Sequence, residues 1–307
     1  MQPRIAVLLP TFNGERYLTE QLDSLIGQTY HNLIIILRDD GSSDGTLEII
    51  KTYRSKYPEK FHIAEDDGHN LGAGAGFSRL MDYALTHKNL LGLGKAYMMF
   101  CDQDDVWTTG KTALMIQAME ASEVGGGDRP VLVHSDLKVV SESGAFIAGS
   151  FMRYQGLDAS KNRLGQILVC NPVTGCASMI NEALARKALP IPDAAIMHDW
   201  WLALVASAFG RLVFIEQPLV QYRQHPHNTL GAMKRTPPRS FREMAGKLYG
   251  VEPDPLMYDA ARQADAFLKK YRKELRAPQL FRLSITSVLR TRSGVLQRAF
   301  RRLARKL

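Results

Sequence analysis

Ile5-Ala6-Val7-Leu8-Leu9 runs straight into Pro10-Thr11-Phe12-Asn13-Gly14, and Leu33-Ile34-Ile35-Ile36-Leu37 runs into Arg38-Asp39-Asp40-Gly41-Ser42. Each is an unbroken apolar run of strand length followed at once by a polar cluster. The arrangement returns where Ala96–Phe100 leads into Cys101-Asp102-Gln103-Asp104-Asp105. Between these runs the apolar residues recur at helical spacing. Leu18, Leu22, Leu25 and Ile26 share one face over 15–29, and 46–56, 76–87 and 112–124 also read as helices. Phe61–Ala64 and Val131–Val140 add strands. Continuous apolar strands alternating with helices predict an α/β fold, a mostly parallel sheet with helices on both faces. Ligands of such sheets bind beyond the carboxyl ends of the strands, and all three polar clusters fall there.

Further along, Leu212–Ile215 and Pro218–Tyr222 keep the strand pattern, which stops beyond Pro237-Pro238. Segments 239–273 and 278–307 then read as helices. The expected organisation is one α/β domain over 1–238 and a helical region over 239–307. At 307 residues, 45% hydrophobic and 23% charged, the chain has a globular rather than a disordered composition. No run approaches the length of a membrane-spanning helix, and no signal peptide is read at the start. Three cysteines match neither a disulfide framework nor a CxxC metal pattern, so a reducing cytoplasm is the expected compartment.

The net charge of +8 is local. From Pro278 to Leu307 there are eight Lys/Arg and no Asp or Glu, and without them 31 basic residues face 31 acidic ones. That distribution argues against a nucleic-acid binder.

Asp102, Asp104 and Asp105 are three carboxylates within four residues, which repel unless a cation or hydrogen-bond donors neutralise them. Hard oxygen ligands at this spacing suit Mg²⁺ or Mn²⁺ together with substrate phosphates, and such a cation absorbs charge on a leaving diphosphate. The same residues would also make a solvated acidic turn. Asp39 and Asp40 are placed to accept hydrogen bonds from a base or a ribose, whereas Asp44 serves equally well as the N-cap of the helix that follows. Asp199 likewise stands where it can cap a helix over 200–209.

Taken jointly, Pro10-Thr11-Phe12-Asn13-Gly14, Asp39-Asp40-Gly41-Ser42-Ser43-Asp44-Gly45-Thr46 and Phe100-Cys101-Asp102-Gln103-Asp104-Asp105-Val106-Trp107 resemble the family-two inverting glycosyltransferases of GT-A fold. The likeness runs from about Ile5 to Gly231. It implies that Pro10, Thr11, Asp40 and Asp102 contact the nucleotide-sugar, with Asp102 on the ribose, and that Asp104 and His225 bind the divalent cation. Arg223 would offset diphosphate charge. Asn171–Ser178 resembles the glycine loop that shapes the acceptor side, with Gly175 permitting close approach. Met197-His198-Asp199-Trp200-Trp201 falls where the family carries its catalytic acid pair, which makes Asp199 the general base and puts His198 in place of the usual acidic neighbour.

A second departure lies in Asn70–Ser78, which resembles a donor loop but has Phe77-Ser78 where Arg-Asn is common. The Gln-x-x-Arg-Trp motif of processive synthases is absent, which implies transfer of a single sugar.

The Asp-Gln-Asp-Asp-Val-Trp variant resembles rhamnosyltransferases. It implies dTDP-rhamnose as donor, with a UDP-hexose (galactose or glucose) as the alternative, and a saccharide or lipid-linked acceptor in cell-surface polysaccharide or O-antigen synthesis. A sugar nucleotidyltransferase would share the sheet but normally carries a basic glycine-rich loop after its first strand. A non-catalytic membrane-binding module would leave the rim carboxylates without purpose. In 278–307, Phe281, Ile285, Val288, Val295, Ala299, Leu303 and Leu307 recur at helical spacing among arginines. Such a helix either lies on an anionic membrane, making the protein peripheral on the inner face of the plasma membrane, or packs on its own domain or in a homodimer.

Overall fold

The computed structural model describes residues 2–64, 69–125, 128–226, 228, 254–290 and 294–304. Nine strands among them form one sheet, built around β1 (Ile5–Thr11), β2 (Leu33–Asp39), β3 (Phe61–Ile63) and β4 (Tyr97–Phe100). β1 lies parallel between β2 and β4. The registers Thr11↔Asp39 and Leu8↔Phe100 bring the three polar clusters to one rim. This half of the sheet is the one the apolar runs predict.

Beyond β4 the sheet becomes mixed. β8 (Ser178–Ile180) inserts antiparallel between β4 and β6 (Val131–Ser141). β9 (Arg211–Gln224) runs parallel to β6, and β5 (Val106–Trp107) closes the edge antiparallel to β9. β7 (Phe146–Ala148) pairs with β6. β5, β7 and β8 are two or three residues long, too short to show a period. β9 reads as two segments in the sequence because its register against β6 shifts at Pro218, which supplies no amide hydrogen to the ladder.

One face of the sheet packs on α1 (Glu15–Ile26), α2 (Thr46–Lys56) and α4 (Lys111–Glu123) through Leu18, Leu22, Ile50, Met115 and Met119. The other face is covered by α3 (Gly72–Thr86), α6 (Leu164–Ile167), α7 (Glu182–Ala188) and α8 (His198–Phe209). The small helix α5 (Phe151–Gln155) follows the β6–β7 hairpin. α3 starts four residues before the apolar spacing predicts. Glycine disfavours helix, but a Cβ on Gly76 would sit 3.3 Å from the Pro10 Cβ, so the glycines let the start of α3 approach the end of β1.

α8 is apolar nearly all round and correspondingly buried. Its indoles fix its placement, Trp200 donating to the Ile167 carbonyl at 2.6 Å and Trp201 to the Ala188 carbonyl at 3.1 Å. The C-terminal helices α9 (Pro255–Tyr271), α10 (Ala277–Ile285) and α11 (Gly294–Ala304) join the same apolar cluster through Phe267, Leu283 and Phe300. The boundary expected near residue 238 lies outside the described residues. No helix among the described residues is long and apolar enough to cross a membrane.

Candidate active site

A cavity of about 1580 Å³ opens along the carboxyl rim of the sheet, lined by Pro10, Thr11, Asp40, Asp102, Asp104, Gly175, Asp199 and His225, whereas Asp39, Asp105 and Arg223 do not line it. The loops carrying them are laced together by other residues of the same motifs. Gln103 accepts from the Phe12 amide and donates to the Phe12 carbonyl, both at 2.9 Å, so the third cluster clamps the first. Gly14 leaves room for this clamp, since a Cβ there would lie 2.4 Å from the Gln103 Oε1 and displace it. Asn13, at φ 46°, accepts from the Ser43 amide, and Glu15 accepts from the Gly45 amide, tying the first cluster to the second.

Asp39 turns inward, accepting from the Thr11 hydroxyl and from the amides of Gly41 and Ser42. The Thr11 side chain is therefore spent on the loop. Asp44 accepts from the Thr46 amide and hydroxyl and from the Glu15 amide, but it stands one residue before the N-cap, which is Gly45, so it braces the helix start rather than capping it. Asp40 pairs with the buried Arg38 and accepts from the amides of Leu71 and Gly72, anchoring the segment that leads into α3 while still lining the cavity.

Asp104 and His225 meet, Oδ2 to Nε2, at 2.8 Å. The His225 ring stacks on Tyr17 with centroids 5.0 Å apart. Arg223 does not face a diphosphate. Its guanidinium donates to the backbone carbonyls of Asp104 and Glu142 and to the Glu20 carboxylate, and so braces the Asp104 loop. Asp105 is buried, with Oδ1 accepting from the Arg223 amide at 3.0 Å and Oδ2 lacking a hydrogen-bond partner. Burial and, next, repulsion from Asp104 raise the Asp105 carboxyl well above its ordinary range and push Asp102 up to about 7. Ligand atoms of Asp102, Asp105 and Cys176 lie within 4.8 Å of one another. The carboxylates of Asp102 and Asp105 suit a hard divalent cation, and the Asp104–His225 pair stands apart from that group as a second pair of donors.

Asp199 stands in the first turn of α8, and Met197 is the N-cap residue, so the Asp199 side chain is not consumed by capping. Its carboxylate accepts from the Gly175 amide at 3.0 Å and from the Asn171 side chain at 3.3 Å. Burial raises its pKa to about 6, against the lowering effect of the Trp200 and Gly175 amides. A Cβ on Gly175 would lie 2.7 Å from the His198 Nε2, which is why the loop needs glycine.

The two departures from the family pattern touch each other. The His198 ring packs 4.2 Å from that of Phe77 and 5.0 Å from that of Phe100. Burial lowers its pKa to about 3, so it is neutral at working pH. A carboxylate at 198 would be held against two phenyl rings, whereas a neutral imidazole fits there.

Sequence reasoning missed Lys111. Fully buried, it donates to the Cys176 carbonyl at 2.5 Å and lies 3.3 Å from the Trp107 ring centroid. Desolvation lowers its pKa to about 8. It is the cation beneath Asp102 and Asp105, and it fixes the turn that carries Gly175. The signal was legible: Lys111 sits four and eight residues before Met115 and Met119, on the buried stripe of α4.

The Glycosyl transferase family 2 profile matches residues 6–184. The chain belongs to glycosyltransferase family 2. Its relatives include the dTDP-rhamnosyl transferase RfbG of Shigella flexneri, 26% identical over 73% of this chain and 74% of that protein. A glycosyltransferase of Nostoc sp. is 24% identical over 79% and 72%. Among solved structures, S. aureus TarS 1-349 in complex with UDP-GlcNAc superposes with a TM-score of 0.52 at 17% identity, covering 91% of this chain and 79% of that one. The mannosyltransferase PcManGT from Pyrobaculum calidifontis, in complex with GDP-Man and Mn²⁺, gives 0.53 at 15% identity, covering 100% and 86%. The glycosyltransferase therefore has the GT-A fold that the three motifs imply.

Proposed function

We propose that this family 2 glycosyltransferase moves one sugar, with inversion, from a nucleotide-diphosphate donor to a hydroxyl of a saccharide or lipid-linked acceptor in cell-surface polysaccharide synthesis. The observation that carries the reading is the Asp199 carboxylate, held by the Gly175 amide on the wall of the cavity that Asp102, Asp104 and His225 also line. Above its pKa of about 6 the carboxylate accepts the proton of the acceptor hydroxyl. The freed oxygen attacks the anomeric carbon from the side opposite the diphosphate, and the carbon–oxygen bond to that diphosphate breaks. Holding both partners in one cavity supplies much of the acceleration.

Pro10 and Asp40 are assigned to the base of the donor, Asp102 to the ribose, Thr11 to the nucleotide-sugar without a finer role, and Gly175 to the acceptor side. Asp104 and His225 would hold the divalent cation, Mg²⁺ or Mn²⁺. A cation bound there supplies positive charge to the leaving diphosphate.

dTDP-rhamnose is the proposed donor, supported by the likeness to RfbG and by the Asp102–Trp107 motif. A UDP-hexose is the alternative. The test is thermal stability with Mn²⁺ and each of dTDP, UDP, GDP and their sugars. A metal-dependent rise with dTDP-rhamnose supports the assignment, a rise with UDP-sugars alone replaces the donor, and no rise with any of them removes the donor-site reading. The basic segment 278–307 is proposed to hold the enzyme at an anionic membrane surface.

A further inference from the structure

The cavity is larger than the several hundred Å³ of an ordinary small-molecule site, and one wall of it comes from the C-terminal helices. Leu256 of α9 and Arg298 and Arg301 of α11 line it together with Asp199. α11 is clamped there: Gln297 accepts from the Asp254 amide at 2.8 Å and donates to the Leu289 carbonyl at 2.8 Å. Asp254 caps α9 and stands 3.6 Å from Arg301. Arg298 and Arg301 are one turn apart and share a side of the helix.

The same helix points apolar residues the other way. Gly294, Gln297 and Phe300 are buried, while Val295, Leu296 and Leu303 are 51%, 52% and 48% exposed and Ala299 is exposed with them. At about 100° per residue these four fall within one sector of roughly 100°. Arg298 lies between that sector and the buried face, and Arg301 lies within the buried face, turned away from the apolar sector and toward the cavity. Guanidinium forks match phosphate oxygens, and an outward apolar sector on a basic segment without acidic residues suits an anionic bilayer.

We infer that the acceptor is carried on a membrane lipid through a phosphate or diphosphate, that Arg298 and Arg301 bind that group inside the cavity, and that the Val295–Leu303 sector rests in the bilayer surface. The inference rests on the glycosyltransferase reading of the cavity and adds the chemistry of its acceptor. One helix would thus both seat the enzyme on the membrane and hold the charged group that joins saccharide to lipid.

The experiment is co-sedimentation of the full chain with phosphatidylcholine vesicles containing either a long-chain polyprenyl phosphate or phosphatidylglycerol, matched in surface charge. The wild type should bind the polyprenyl phosphate vesicles about tenfold more tightly. The double variant Arg298→Lys/Arg301→Lys, which keeps the net charge, should bind both vesicle types equally, and Val295→Ser/Leu296→Ser should weaken binding to both. Equal binding by the wild type, or a preference that survives the lysine substitutions, overturns the inference. Loss of Mn²⁺-dependent nucleotide binding in the lysine variant also overturns it, because the arginines would then belong to the donor. Asp104→Ala separates the two readings. It should lose nucleotide binding and keep the vesicle preference, and unchanged nucleotide binding would count against the donor-site reading alone.

Discussion

The backbone amide of Gly175 donates to the Asp199 carboxylate at 3.0 Å, while the same glycine leaves only enough room for the His198 ring, 2.7 Å from where a Cβ would stand. One residue thus positions the proposed general base and accommodates the histidine that stands beside it. Gly175→Ala should push His198 against Phe77 and Phe100, which leave it little room, at a stability cost of about 1–3 kcal/mol. Turnover should fall with little change in donor affinity. Adding His198→Ala should restore part of both, and the two single variants and the double variant, measured by thermal unfolding and by rate, check this coupling.

The raised pKa of Asp199 sets a pH dependence. In the proposed role Asp199 works only when ionised, so the chemical step should lose about tenfold per pH unit below about 6 and level off above it. For stability the sign is opposite. A carboxyl raised above its ordinary 3.8 binds its proton more tightly folded than unfolded, so its contribution falls as pH rises from about 4 to about 6. Asp199→Asn should therefore be more stable than the wild type at pH 8, by up to about 2 kcal/mol, despite being inactive. Denaturant titrations at pH 5 and pH 8 check the sign.

Lys111→Met removes the cation beneath Asp102 and Asp105 and leaves the Cys176 carbonyl without its donor. Losing one partner of a buried charged set costs about 3–5 kcal/mol. The variant should unfold earlier, and where it remains folded its turnover should fall because the turn bearing Gly175 loosens. A melting temperature within a degree or two of the wild type, with full turnover, would contradict the role.

The parallel half of the sheet was readable because its strands are long apolar runs ending in polar clusters. β8 was not: Ser178–Ile180 is fixed by its neighbours β4 and β6 rather than by a period of its own. The motif residues were visible as a group, but not how they divide between lining the cavity and holding the loops. Asp39 reads as a ligand beside Asp40, yet its side chain is occupied by the Gly41–Ser42 turn, and Gln103, beside Asp104, is taken up by the Phe12 backbone. Arg223 reads as a free cation next to His225 and is a brace, because its partners Glu20 and Glu142 are distant in sequence. Contacts of that kind leave no trace in spacing.

His225→Ala and Asp104→Ala should each abolish the Mn²⁺-dependent stabilisation by nucleotide, and the double variant should be no worse than either single one if the two hold a single cation. Additive partial losses would assign the two residues to separate sites.

The most direct test compares wild type and Asp199→Asn for nucleotide-sugar binding and for release of nucleoside diphosphate from the donor in the presence of Mn²⁺ and membrane extract. The predicted result is unchanged donor affinity with release reduced by about a thousandfold or more, the loss expected for a general base. Release at the wild-type rate in Asp199→Asn would contradict the account, because the proton of the acceptor hydroxyl would then leave by another group.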